Sequence, residues 1–162
     1  MAWKVRFYKD LDTGEEPARD WLDGLTGNDE AKRLAALAAV ERVLKVHGVD
    51  VCETEWGENL GKGLYEFRVR HPAGTVRNMF PLPREAGKAQ STATEPVKIL
   101  LRIFFTTYGQ GVLLLLSGYD KGADPSRARQ QREIKKAAEM AATAKKGLRA
   151  RQREQRERAR LK

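Results

Sequence analysis

Leu64-Tyr65-Glu66-Phe67-Arg68-Val69-Arg70-His71 is the stretch on which the fold turns. Successive side chains of a strand point to opposite faces, so Tyr65, Phe67 and Val69 face one way and Glu66, Arg68 and Arg70 the other. Such a strand has one face for a core and one lined mainly with cations. Lys98 to Thr107 repeats the design, with Arg102 set between Ile99-Leu100-Leu101 and Ile103-Phe104-Phe105. Val112 to Tyr119 is almost wholly apolar and runs into Asp120-Lys121. If these three strands pair, Arg68, Arg70, Arg102, Tyr119 and Lys121 share one surface.

Working outward, Trp3-Lys4-Val5-Arg6-Phe7-Tyr8 alternates and predicts a first strand. Asp10 to Gly14 is turn chemistry. Pro17 suits a first helical turn, with Ala18, Trp21, Leu22 and Leu25 as the buried stripe. A second helix is expected from Glu30 to His47, with Leu34, Leu37, Val40 and Leu44 on its apolar face and Gly48 at its end. Residues 49–63 read as a loop anchored by Trp56 and Leu60. Thr75 to Phe80 reads as a weak extension of a hairpin, and 81–96 as an exposed, mobile insertion. Tyr108 to Gly111 is a hairpin turn between two apolar runs. Asp124 is expected to cap a helix that has Pro125 at its first position and runs to about Ala144. Gly147 interrupts this pattern, and Leu148 to Lys162 reads as a frayed or disordered tail.

The chain of 162 residues suits one domain plus an appendage. Its net charge of +9 is unevenly placed. Residues 1–124 hold 17 Lys/Arg and 18 Asp/Glu, while residues 125–162 hold 14 and 4. The folded body is near neutral and the C-terminal segment carries +10. A basic segment of this kind favours nucleic acid or acidic partners through counterion release, and it is also what a well-solvated helix looks like. The single cysteine, Cys52, has no partner for an internal disulfide and stands outside any metal-ligand spacing. No apolar run is long enough to span a bilayer, and the charged first ten residues do not resemble a secretion signal, so a cytoplasmic protein without a membrane partner is expected.

The sequence carries no metal-ligand cluster, no phosphate-binding glycine loop and no Ser-His-Asp signature, so neither a metal nor a cofactor is expected. His47 at a helix end suits the helix dipole. His71, closing the cationic strand, is a candidate acid or base. Arg68, Arg70, Arg102, Tyr119 and Lys121 together meet the demands of phosphodiester cleavage. Arginine forks neutralise charge growing on phosphate oxygens, and a Lys or Tyr crowded by arginines can have its pKa lowered toward proton transfer.

Several stretches, taken in order, resemble the RelE/ParE superfamily of bacterial toxins, in its phage-derived, HigB-like branch. They are Trp3 to Tyr8, Pro17 with Trp21-Leu22 and Leu25, Gly63-Leu64-Tyr65-Glu66-Phe67-Arg68, Arg102-Ile103-Phe104-Phe105, Leu113 through Lys121, and Pro125 to Ala138. The resemblance covers about residues 3–141. It implies an α+β fold with a small antiparallel sheet, an N-terminal helical hairpin and a C-terminal helix. Residues 1–144 would form the toxin-like domain, with 72–97 inserted and 145–162 as a basic tail. It further implies a metal-independent, ribosome-dependent mRNA endonuclease that inhibits translation as part of a toxin-antitoxin system, partnered by a helix-turn-helix antitoxin. Arg68, Arg102, Tyr119 and Lys121 match its catalytic or RNA-contacting positions. Arg70 and His71 are added as RNA-binding candidates from strand geometry, and Arg149, Arg151 and Arg153 from the basic tail. The insertion and the tail depart from the family pattern. A toxin-fold inhibitor of DNA gyrase and a phage-derived nucleic-acid-binding protein that does not cleave stand as the alternatives.

Overall fold

A computed structural model describes residues 2–85 and 98–161. The chain is α+β, built on a five-stranded mixed sheet of order β1-β5-β4-β3-β2. In sequence these strands are β1 Lys4–Phe7, β2 Gly57–Gly61, β3 Leu64–Val69, β4 Leu101–Thr107 and β5 Val112–Asp120. β2 to β5 form an antiparallel meander, and β1 adds at the edge, parallel to β5. The expected antiparallel arrangement holds for β2 to β5, and β1 makes the whole sheet mixed. The intervening helices carry the chain back across the sheet before its remaining strands form, so β1 and β5 can run in the same direction.

The helices are α1 Pro17–Asp23, α2 Glu30–Ala39, α3 Lys45–His47, α4 Ala73–Met79 and α5 Arg127–Arg160. A π turn at Val40–Leu44 joins α2 to α3. One sheet face carries Phe67, Val69, Ile103 and Leu113 and packs with residues of α1, α2, the Val40–Leu44 turn and α4. The other carries Leu64, Phe104, Leu116 and Tyr119 and packs under Ala137, Ala141 and Ala144 of α5. The period-two pattern of β3 thus feeds two cores, one on each side of the sheet.

Several local expectations change. Residues 49–63 are not a loop: Gly48–Glu53 is a 3-10 turn and β2 follows. β2 is an edge strand, held through backbone pairing to β3, so it needs little apolar character. Gly61, Lys62 and Gly63 turn the hairpin, all with positive φ. Residues 73–79 form α4 rather than a hairpin extension, with Val76 as its buried residue. The insertion therefore begins with a helix packed on the body. Its residues 86–96, read as mobile, lie outside the described residues.

In α2 the buried side is Ala35, Ala36, Ala38 and Ala39, while Leu34 and Leu37 are each 41% exposed. The alanines let the helix lie close to its neighbours, and the larger leucines turn outward. Ser126, not Asp124, caps α5, accepting a hydrogen bond from the Arg129 amide at 3.2 Å. Gly147 does not interrupt α5. Strong helix formers flank it, and a single glycine costs only about 1 kcal/mol relative to alanine. The boundary drawn between body and tail at residue 144 falls inside a continuous helix. Among the described residues no helix is long and apolar enough to cross a membrane.

Candidate functional site

Strand register brings three of the predicted residues into one row. Arg68 of β3 lies opposite Arg102 of β4, which lies opposite Tyr119 of β5. Directly opposed residues share a face, so the row sits on the α5 side of the sheet. Glu66, one step along that face, completes it. Its Oε1 accepts a hydrogen bond from Arg68 Nε at 2.9 Å and lies 3.5 Å from Arg102 Nε. Arg68 also reaches Glu58 of β2 with its NH2 group.

The Tyr119 end of the row is covered by the first turns of α5. Arg129 stacks its guanidinium over the Tyr119 ring, 5.5 Å from the centroid. Its Nε is tied to Glu133 Oε1 at 3.0 Å. Glu66 is 0% exposed, Tyr119 1% and Arg102 3%. Four buried side-chain atoms here have no hydrogen-bond partner among the described residues: Glu66 Oε2, Arg102 Nε, Ser117 Oγ and the Tyr119 hydroxyl. Buried polar atoms are nearly always satisfied, so this concentration marks the row as unusual.

Burial reverses one electrostatic expectation. The Tyr119 pKa is raised rather than lowered, first by desolvation and then by Glu66, against the smaller pull of Arg102. Its phenol therefore stays protonated, and burial makes it a weaker acid rather than a stronger one. The Arg102 pKa is lowered, first by desolvation; Glu66 opposes that, and Arg68 and Arg70 add to it.

Other candidates fall elsewhere. Arg70 is exposed just past β3, near enough to Arg102 to repel it. Lys121 follows β5, half-buried, and its side chain makes no ion pair among the described residues. His71 is not brought to the row. Its Nε2 lies 3.1 Å from Glu55 Oε1 and its ring packs against Trp56, which belongs to the core on the opposite face. Strand alternation explains this, since 71 is an odd position like 67 and 69. Arg149, Arg151 and Arg153 are exposed on the far part of α5. Glu66 joins the row without being among the residues that the sequence singles out. Its place between Tyr65 and Phe67 on the cationic face is the available signal.

A second feature lies toward the other end of the strands. A cleft of about 630 Å3 opens between β1, the turn after it and α5, lined among others by Arg6, Lys9, Tyr108, Gly147 and Arg151. Among the described residues no three or more His, Cys, Asp or Glu side chains are grouped as metal ligands would be. Comparison with known proteins adds no relationship: no family model matches the chain, and no curated protein matches it.

Proposed function

We propose that this chain is a toxin of the RelE/ParE superfamily, of its HigB-like branch, and that it cleaves mRNA on the ribosome without a metal. The observation that carries the reading is the row Arg68–Arg102–Tyr119 across three adjacent strands, with Arg102 Nε and the Tyr119 hydroxyl making no hydrogen bond among the described residues. In this reading a ribose 2′-oxygen attacks the adjacent phosphorus, the bond from phosphorus to the 5′-oxygen breaks, and that oxygen takes up a proton. Arg68 and Arg102 neutralise the phosphate oxygens. Tyr119, held protonated, supplies the proton to the leaving oxygen. Glu66 is the carboxylate of the row and can accept the 2′-hydroxyl proton. Lys121 and Arg70, at the open end, hold the flanking strand. Contact with Arg102 and Tyr119 requires the first turns of α5 to lift. A helix-turn-helix antitoxin is the partner that this reading supplies.

The test is to map mRNA 5′ ends in a reconstituted translation system with wild-type protein and with Arg68→Ala. New ends that require ribosomes and vanish in the variant support the nuclease. Intact mRNA with a folded wild-type protein removes it. One observation favours a second reading: Arg102 and Tyr119 are buried while the far part of α5 is exposed and cationic. A protein that binds nucleic acid without cutting it fits that arrangement.

A further inference from the structure

We infer that the cleft between β1 and α5 is a binding site for a nucleoside phosphate, taken as one unit of an RNA strand or as a free nucleotide. Its volume, about 630 Å3, lies within the roughly 300–1,000 Å3 of small-molecule sites. Arg6 from β1, Lys9 from the following turn and Arg151 from α5 all line it. None of these cations makes an ion pair or side-chain hydrogen bond among the described residues, so their charges are available to a phosphate. Asp10 also lines the cleft, but its Oδ1 is taken by the backbone amides of Asp12 and Thr13. Asp12 remains as an acceptor for the amino group of a base. The half-buried Tyr108 offers a ring for a base to stack on.

Gly147 gives the site its room. Glycine in a helix interior is unfavourable, and packing does not demand it here, because a Cβ at 147 would meet nothing within 4 Å. That open space is the cleft itself. A larger side chain at 147 would start from open space and take up room in the cleft.

This inference rests on the RNA reading only for the choice of the RNA probe, and no cleavage is measured in its test. The binding of a short fluorescent single-stranded RNA is followed by anisotropy, with AMP, GMP, CMP and UMP as competitors. The proteins are full-length wild type, Gly147→Leu, Arg151→Glu and, as a charge-matched control on the exposed side of α5, Lys135→Glu. Wild type is expected to bind, Gly147→Leu and Arg151→Glu to bind about tenfold more weakly, and Lys135→Glu to bind as wild type. Competition by a monophosphate assigns the site to free nucleotides as well. Its absence assigns the site to a unit of the strand. Wild-type affinity in both cleft variants, or no binding of RNA or monophosphate by wild type, overturns the proposal. Circular dichroism verifies that each variant is folded, and a single folded cleft variant is enough to decide between these outcomes. Failure of Arg68→Ala to alter mRNA bears on the nuclease reading and leaves this site untouched.

Discussion

Glu66 and Arg102 carry opposite charges on adjacent strands, 3.5 Å apart and both hidden from solvent. The same carboxylate binds Arg68, so one buried anion serves two guanidiniums. Removing it would leave Arg102 desolvated beside Arg68 and Arg70 with no compensating charge. Glu66→Gln should therefore lower stability by about 3–5 kcal/mol, the range for breaking a buried ion pair. In urea unfolding, the double variant Glu66→Gln/Arg102→Gln should lose less than the sum of the single changes, by about 1–3 kcal/mol. Strict additivity would mean that the two side chains do not sense each other.

Gly118 of β5 lies on the other face of the sheet, under α1. A Cβ there would stand 2.5 Å from atoms Cε3 and Cζ3 of Trp21 and 3.1 Å from the Arg102 carbonyl oxygen. Gly118→Ala should cost about 1–3 kcal/mol by overpacking. Trimming the opposing ring relieves the clash, so the same change in a Trp21→Leu background should cost much less. Equal costs in both backgrounds would show that the sheet backbone, not Trp21, resists the methyl group.

Much of this arrangement can be read from the chain. The alternation in Tyr65 to Val69 and the single charge in Leu101 to Phe105 place Arg68 and Arg102 on one face once the two strands pair in the register that sets them opposite each other. What alternation cannot show is which polar face is itself covered. The cationic face of β3 looks open in the sequence because charges usually mark solvent. Here α5 lies across it, and the stripe that docks it is made of alanines, Ala137, Ala141 and Ala144, whose small apolar surface gives little signal. The same holds for α2, where alanines are buried and Leu34 and Leu37 are not. β2 is silent in the sequence because an edge strand is held by backbone hydrogen bonds, which no side-chain pattern reveals.

Cys52 sits among groups that keep it neutral. Burial is the main cause, Glu58 and Glu66 add to it, and Arg68 opposes it; the thiol pKa rises from 9.0 to about 11. The native state holds this proton where the unfolded chain releases it. This contribution to stability is complete below pH 9.0 and is lost as pH rises through about 11. Alkylation of the native protein by iodoacetamide should accordingly rise with a midpoint near 11. Cys52→Ala should flatten the alkaline end of the stability profile. A midpoint near 9.0 would place the thiol in water.

Beyond residue 147, apart from the half-buried Leu148, the described side chains of α5 are exposed, and Arg151 still lines the cleft against β1. Exposed residues contribute little to folding, so deleting 148–162 should change stability by no more than about 0.5 kcal/mol. The deletion removes seven Lys/Arg and only two Asp/Glu. For every phosphate that these cations neutralise, the slope of log affinity against log salt for single-stranded RNA should become shallower by about 0.7 on deletion. Weakened RNA binding with a shallower salt slope and an unchanged unfolding midpoint would identify the helix end as a polyanion-binding arm. Binding and slope equal to those of the full chain would confine the RNA contacts to the body, where Arg70 and Lys121 are the accessible cations beside the buried row.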